Sequence, residues 1–145
     1  MEEAANAYHQ HALLDPENAS VWGNLGAALL ALGRVQDAIV NFRKAIKIDP
    51  TFAPGWHGLA SSHCQAGELE AAMDSAQRVT ELDPEDPRGW FYYGIALHLL
   101  GRNEEAVLRL TKATELQDDN IDAWLFLGIV HVQLQQPLEA IEACQ

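Results

Sequence analysis

The four tryptophans of this chain, Trp22, Trp56, Trp90 and Trp124, stand 34 residues apart. A fixed step of this size constrains the fold more than any other feature. Each repeat must be one structural unit that buries its apolar face on its neighbours. The same step links Gly33, Gly67 and Gly101. It links Pro16, Pro50 and Pro84, each preceded by Asp, and it links Ala4, Ala38, Ala72, Ala106 and Ala140. Columns that share one register do not arise by chance.

Each unit reads as two helices. Residues Ala19–Leu32, Ala53–Ala66, Pro87–Leu100 and Ile121–Leu134 carry apolar side chains at helical spacing, as in Trp22, Leu25, Gly26 and Leu29. Gly33, Gly67 and Gly101 follow where a left-handed residue ends a helix. A second helix is expected over Val35–Ile48, Leu69–Leu82, Glu104–Leu116 and from Leu138 onward. Its alanine column allows close approach to the first helix, and Asp-Pro then turns the chain. Asp86-Pro87 has the form of an N-cap followed by proline at the first helical position.

The stretch "VWGNLGAALLALGRVQDAIVNFRKAIKIDP" resembles a tetratricopeptide repeat (TPR). Trp22, Leu25, Gly26, Leu29, Ala38, Phe42, Ala45 and Pro50 fall at that family's signature places. The resemblance covers nearly the whole chain as one array, 1–145. It comprises a lone second helix in 1–18, full repeats at 19–52, 53–86 and 87–120, and a truncated repeat at 121–145. It implies an all-α fold, an α-solenoid in which antiparallel helix pairs stack into a right-handed superhelix. Several positions depart from the pattern. Ala60 replaces a signature glycine, His63 and His131 stand in a tyrosine slot, Asp118 replaces a closing proline and Gln135 replaces the inter-helix glycine. Both ends read as unfinished, so the chain is expected to be a piece of a longer array, able to self-associate through its uncapped ends.

The resemblance also implies that one column of each first helix lines the concave inner surface, where such proteins hold a partner segment. That column reads Ser20, Gly23, Ala27, Leu30; Pro54, His57, Ser61, Cys64; Arg88, Phe91, Ile95, His98; and Asp122, Leu125, Ile129, Val132. The next slot holds Asn24, Gly58, Tyr92 and Phe126. The expected partner-binding residues are therefore Asn24, His57, Ser61, Arg88, Phe91, Tyr92, Ile95, His98, Asp122, Leu125, Phe126 and Ile129. The first two units are small and polar here, whereas the last two are apolar and aromatic. A contiguous apolar patch of this kind marks a binding surface. A lysine–asparagine carboxylate clamp would fall on Gly23, Ala27, His57, Ser61 and Arg88, and only Arg88 suits it. An asparagine ladder would fall on Asn24, Gly58, Tyr92 and Phe126, and only Asn24 suits that.

Charge and motifs narrow the function further. The formal net charge is −12, which opposes binding to nucleic acid or to an anionic membrane. Arg88 and Asp122 are the only charged residues in the four first helices, so the acidity belongs to the outer surface. Cys64 and Cys144 make no disulfide framework, and the start "MEEAANAYHQ" is not a secretory signal. No apolar run is long enough to span a membrane. A reducing, cytoplasmic setting is expected. His57, His63 and Cys64 cluster in sequence, but His57 and Cys64 lie two helical turns apart, about 10 Å, beyond any common coordination sphere. No phosphate loop, nucleophile elbow or zinc-protease motif is present. The expected function is a non-catalytic, cofactor-free scaffold that binds an apolar or aromatic protein segment. The alternatives are a substrate-recruiting arm of a larger enzyme, such as a glycosyltransferase, and a small chaperone for hydrophobic secretion clients.

Overall fold

The computed structural model describes residues 2–143, with side chains through residue 134. Among the described residues all regular structure is helical. Helix α1 (Glu2–Leu14) precedes three helix pairs. These are α2 (Ala19–Ala31) with α3 (Val35–Ile48), α4 (Ala53–Ala66) with α5 (Leu69–Leu82), and α6 (Pro87–Leu99) with α7 (Asn103–Leu116). Helix α8 (Ile121–Ala143) follows. Each helix packs on the next in sequence, and α2, α4, α6 and α8 also touch one another in order. The result is an α-solenoid of stacked antiparallel pairs, in which contacts stay between neighbours.

The glycine column makes the turns. Gly33, Gly67 and Gly101 have φ of 74°, 75° and 78°, the left-handed region that favours glycine. Around each, the next amide reaches back to the last helical turn: Arg34 to the Leu29 carbonyl, Glu68 to His63 and Arg102 to Leu97, all at 2.9 Å. These bonds satisfy carbonyls that the helix end would leave open. Helix starts are capped by Asn18, whose side chain accepts from the Ser20 N–H, and by Asp86, which accepts from the Arg88 N–H.

Packing follows the small-residue columns. Ala38, Ala72 and Ala106 are fully buried. A Cβ added at Gly26 would stand 2.9 Å from the Phe42 ring, and one at Gly94 would stand 2.6 Å from Leu110. Each of these glycines is therefore the seat of a large side chain sixteen residues later. In the second unit the seat holds Ala60, and the residue that should fill it has shrunk to Ala76. Both are fully buried. Loss of the signature glycine is matched by loss of the large partner.

The two ends differ from the interior. Ala4 is exposed, whereas Ala5 and Ala12 are buried on the other face of α1, toward α2. At the other end the expected turn near Gln135 and second helix from Leu138 do not form: α8 runs unbroken to Ala143. Position 135 lacks the glycine that makes the first three turns at positive φ. Ala140 lies among residues whose side chains are outside the described part.

Candidate functional site

The first helices carry the site because they stand side by side with one face in common. A groove of about 440 Å³ lies between α2, α4 and the start of α6. Its lining includes Asn24 and Ala27 of α2, His57, Ser61 and Gln65 of α4, and Arg88 of α6. Glycine at position 23 lets the Phe52 ring into the wall, since a Cβ there would stand 2.6 Å from it. The sequence column thus brings Asn24, His57, Ser61 and Arg88 together. It did not point to Gln65 or Phe52.

Arg88 is held in place rather than free. Its guanidinium donates to both carboxylate oxygens of Asp86, at 2.9 Å and 2.8 Å. The same carboxylate caps α6 through the Arg88 N–H. Burial pushes the Asp86 carboxyl up, but the bonds from Arg88 outweigh this and hold it below the usual carboxylate range. Paired with Asp86, the Arg88 guanidinium is a fixed donor at the groove. His57 is kept neutral by burial first and by the Arg88 charge second, which together lower its pKa. Its Nε2 is buried and has no hydrogen-bond partner among the described residues.

An edge-to-face chain of rings runs from the groove toward α8. His57 meets Tyr92 at 5.2 Å between ring centroids, and Tyr92 meets Phe91 at 5.3 Å. Phe91 meets Phe126 at 5.9 Å, and Phe126 meets His98 at 6.5 Å. These tilted contacts are the favoured geometry for aromatic pairs. All five rings are half-buried, so they support one another and still show one side. His98 is oriented by a 2.9 Å bond between Nδ1 and the Asn103 side-chain oxygen.

The whole sequence, residues 1–145, matches the model of the cilia and flagella-associated protein 70 middle TPR-like domain. The chain belongs to this family. No curated protein matches the sequence significantly. Among solved structures, "MamA 41-end from Desulfovibrio magneticus RS-1" superposes with a TM-score of 0.86 at 23% identity, covering 97% of this chain and 80% of that one. "First TPR of Spaghetti (RPAP3) bound to HSP90 peptide SRMEEVD" gives 0.79 at 22% identity, covering 83% of this chain and 95% of that one. The Arabidopsis OM64 TPR domain gives 0.75 at 19% identity, covering 77% and 93%. These likenesses show the TPR fold.

In this TPR-like domain the apolar surface expected across the last two units is divided. Ile95 is only 8% exposed and Ser61 only 9%. Ile95 therefore offers little open surface, and Ser61 lines the groove with only a small exposed part. Phe91 and Phe126 pack against the core cluster of Leu97, Leu110, Leu127 and Val130. Leu125 and Ile129 remain at the surface of α8, next to Trp124 and Val132, and Asp122 stands exposed at its first turn.

Burial pushes the Cys64 thiol up to about 11, so it is protonated at neutral pH. Among the described residues no group of three or more His, Cys, Asp or Glu is placed to hold a metal. His63, the buried member of the sequence cluster, is bonded through Nδ1 to Glu68 at 2.6 Å, and Glu68 also accepts from Gln36. That bond links the first and second units. Among the described residues no helix is long and apolar enough to cross a membrane.

Proposed function

We propose that this TPR-like domain is a non-catalytic protein-interaction scaffold. It holds a partner segment along α2, α4 and α6, with polar contacts from Asn24, His57, Gln65 and Arg88 at one end and aromatic contacts from Tyr92 and Phe91 at the other. The observation that carries this reading is the half-buried ring chain leading out of the groove. Rigid aromatic side chains with one open side are the usual energetic anchors of an interface. The imidazole of His57, its Nε2 buried and unpaired among the described residues, forms the groove wall beside them. A domain of like fold, the first TPR of Spaghetti, is bound to an HSP90 peptide in its solved structure. The free thiol of Cys64 suits a reducing compartment, the cytoplasm.

The test is selection of displayed random peptides on the domain, with affinities measured by fluorescence anisotropy. Tyr92→Ala and Arg88→Ala should each weaken the selected peptides by roughly tenfold or more, as loss of an interface anchor does. Leu108→Ala, on the outer face of α7, should not. Peptides that ignore both groove substitutions would sink the reading.

The exposed ends favour a second reading, self-association. Trp124, whose equivalents are more covered, is 53% exposed.

A further inference from the structure

The groove between α2 and α4 continues past its own lining. The Phe52 ring, let in by Gly23, is one of its walls. The same ring borders a second hollow of about 400 Å³, where the turn before α2 meets the turn before α4. Ser20, one helical turn ahead of Gly23 on the concave column, lines that second hollow. The two hollows are therefore neighbours, with Phe52 between them.

Their chemistry differs. The groove is lined by apolar groups such as Ala27, Leu30 and Pro54, and its single charged group, Arg88, is already paired with Asp86. The second hollow carries three carboxylates, Asp15, Glu17 and Asp49. Asp15 accepts from the Asn18 amide and Asp49 from Thr51, so their hydrogen-bond partners among the described residues are neutral and the charges stay open. Ser61 adds a separate sign of an occupant. It lines the groove at only 9% exposure, and its hydroxyl bonds to no described residue. The Ser75, Thr80 and Thr114 hydroxyls, by contrast, each donate to a carbonyl of their own helix. A nearly buried hydroxyl without a partner is the exception in a folded protein, and a backbone group of a bound segment would complete it.

We propose that the occupant of the groove is a basic segment of a partner protein, with an apolar side chain in the groove and a neighbouring lysine or arginine at Asp15, Glu17 and Asp49. This rests on the scaffold reading and names the partner's chemistry. Charge complementarity selects it. An acidic segment would bring like charge to the three carboxylates and would find Arg88 already paired. With a net charge of −12, the domain as a whole draws a basic segment in and repels an acidic one.

Selection of displayed random peptides on the domain in about 0.1 M salt tests this, with binding of the selected peptides read by fluorescence anisotropy. Peptides selected on the wild type should carry lysine or arginine beside a large apolar residue. The triple variant Asp15→Asn, Glu17→Gln, Asp49→Asn keeps acceptors in the turns and removes three charges. It should bind these peptides about fivefold to tenfold more weakly, since each exposed ion pair contributes a factor of about two. Glu70→Gln, Asp74→Asn and Glu104→Gln remove the same charge from α5 and α7. In this salt they should change binding by less than about twofold, because charges more than about 10 Å away are screened. Circular dichroism should show both triple variants folded. Selected peptides without basic residues, or peptides that bind the two triple variants equally well, overturn the proposal. If Tyr92→Ala still weakens those peptides, the scaffold reading stands. Basic peptides that ignore Tyr92→Ala overturn both, as does a selection that yields no binder.

Discussion

The indole N–H of Trp22 donates to the carbonyl oxygen of Pro16 at 2.8 Å. Trp56 does the same to Pro50 and Trp90 to Pro84, each at 2.8 Å. The tryptophan and proline columns therefore keep one register for a physical reason: each ring pins the turn that precedes its helix. The acceptor is a backbone oxygen, so the proline ring is not what the tryptophan recognises. Trp124 shows this, since it makes the bond to Asp118 where proline is missing.

Replacing Trp22 by Phe removes that donor at a position only 8% exposed, and it also withdraws the surface on which the Lys44 ammonium sits, 4.1 Å from the ring centroid. The expected loss is about 1–2 kcal/mol, from the hydrogen bond together with the smaller ring. Trp124→Phe, on an exposed ring, should cost under about 0.5 kcal/mol. Urea unfolding followed by circular dichroism measures both, and equal costs would show that burial of the ring does not set the loss, since both rings make the bond to the turn.

The seat-and-filler pairs make a sharper forecast. Gly94→Ala places a methyl 2.6 Å from Leu110, which is fully buried and cannot move away. It should destabilise by about 1–3 kcal/mol through overpacking. Gly128→Ala meets open space and should be neutral or stabilising, by up to about 1 kcal/mol from helix propensity. Leu110→Ala alone should cost about 2–5 kcal/mol by leaving a cavity. The double variant Gly94→Ala with Leu110→Ala copies the native Ala60 and Ala76 pair, so its cost should fall clearly below the sum of the two. A double-mutant cycle with no coupling would remove the compensation argument.

The helices were legible because their signals are local. The glycines mark turns, Asp-Pro marks stops, and the apolar period marks faces, so the predicted bounds agree with α2 through α7 to within a residue. The site was legible only in part. A column says which side of a helix a residue occupies, but not how far the next unit's side chains reach over it. Ile95 and Phe91 share one column, yet Ile95 is buried and Phe91 only half-buried. The link from His57 to Tyr92 crosses from one unit to the next, so no single repeat reveals it. The unbroken run of α8 past Gln135 departs from the expected hairpin because the alanine column continues to Ala140 while the turn glycine is missing.

Cys64 offers a direct check on burial. With its thiol pushed up to about 11, the folded domain presents almost no thiolate at pH 8. In a Cys144→Ser background, reaction of Cys64 with a disulfide reagent should be at least tenfold slower in the native protein than in urea, given the shift from the ordinary value of about 8.5. Equal rates would place the thiol in solvent and undo the packing assigned to that end of α4.

The last prediction concerns His57 and follows from two causes with the same sign. Burial disfavours the imidazolium, and the Arg88 charge repels it, so the folded-state pKa lies below the ordinary value of about 6.5. The neutral ring is then the form that fits the fold. Its contribution to stability is complete above about pH 6.5 and declines as pH falls from there toward the lowered folded value, because the unfolded chain takes up the proton first. Proton NMR of the ring should show a midpoint below that of a free imidazole. Arg88→Gln should move the midpoint upward, since it deletes the repelling charge and leaves Asp86 to attract the imidazolium. His57→Gln should flatten the fall in stability between about pH 6.5 and 5. A midpoint at or above the free value, or one that Arg88→Gln leaves in place, would mean that His57 does not sit between Arg88 and Tyr92 as the wall of the groove requires.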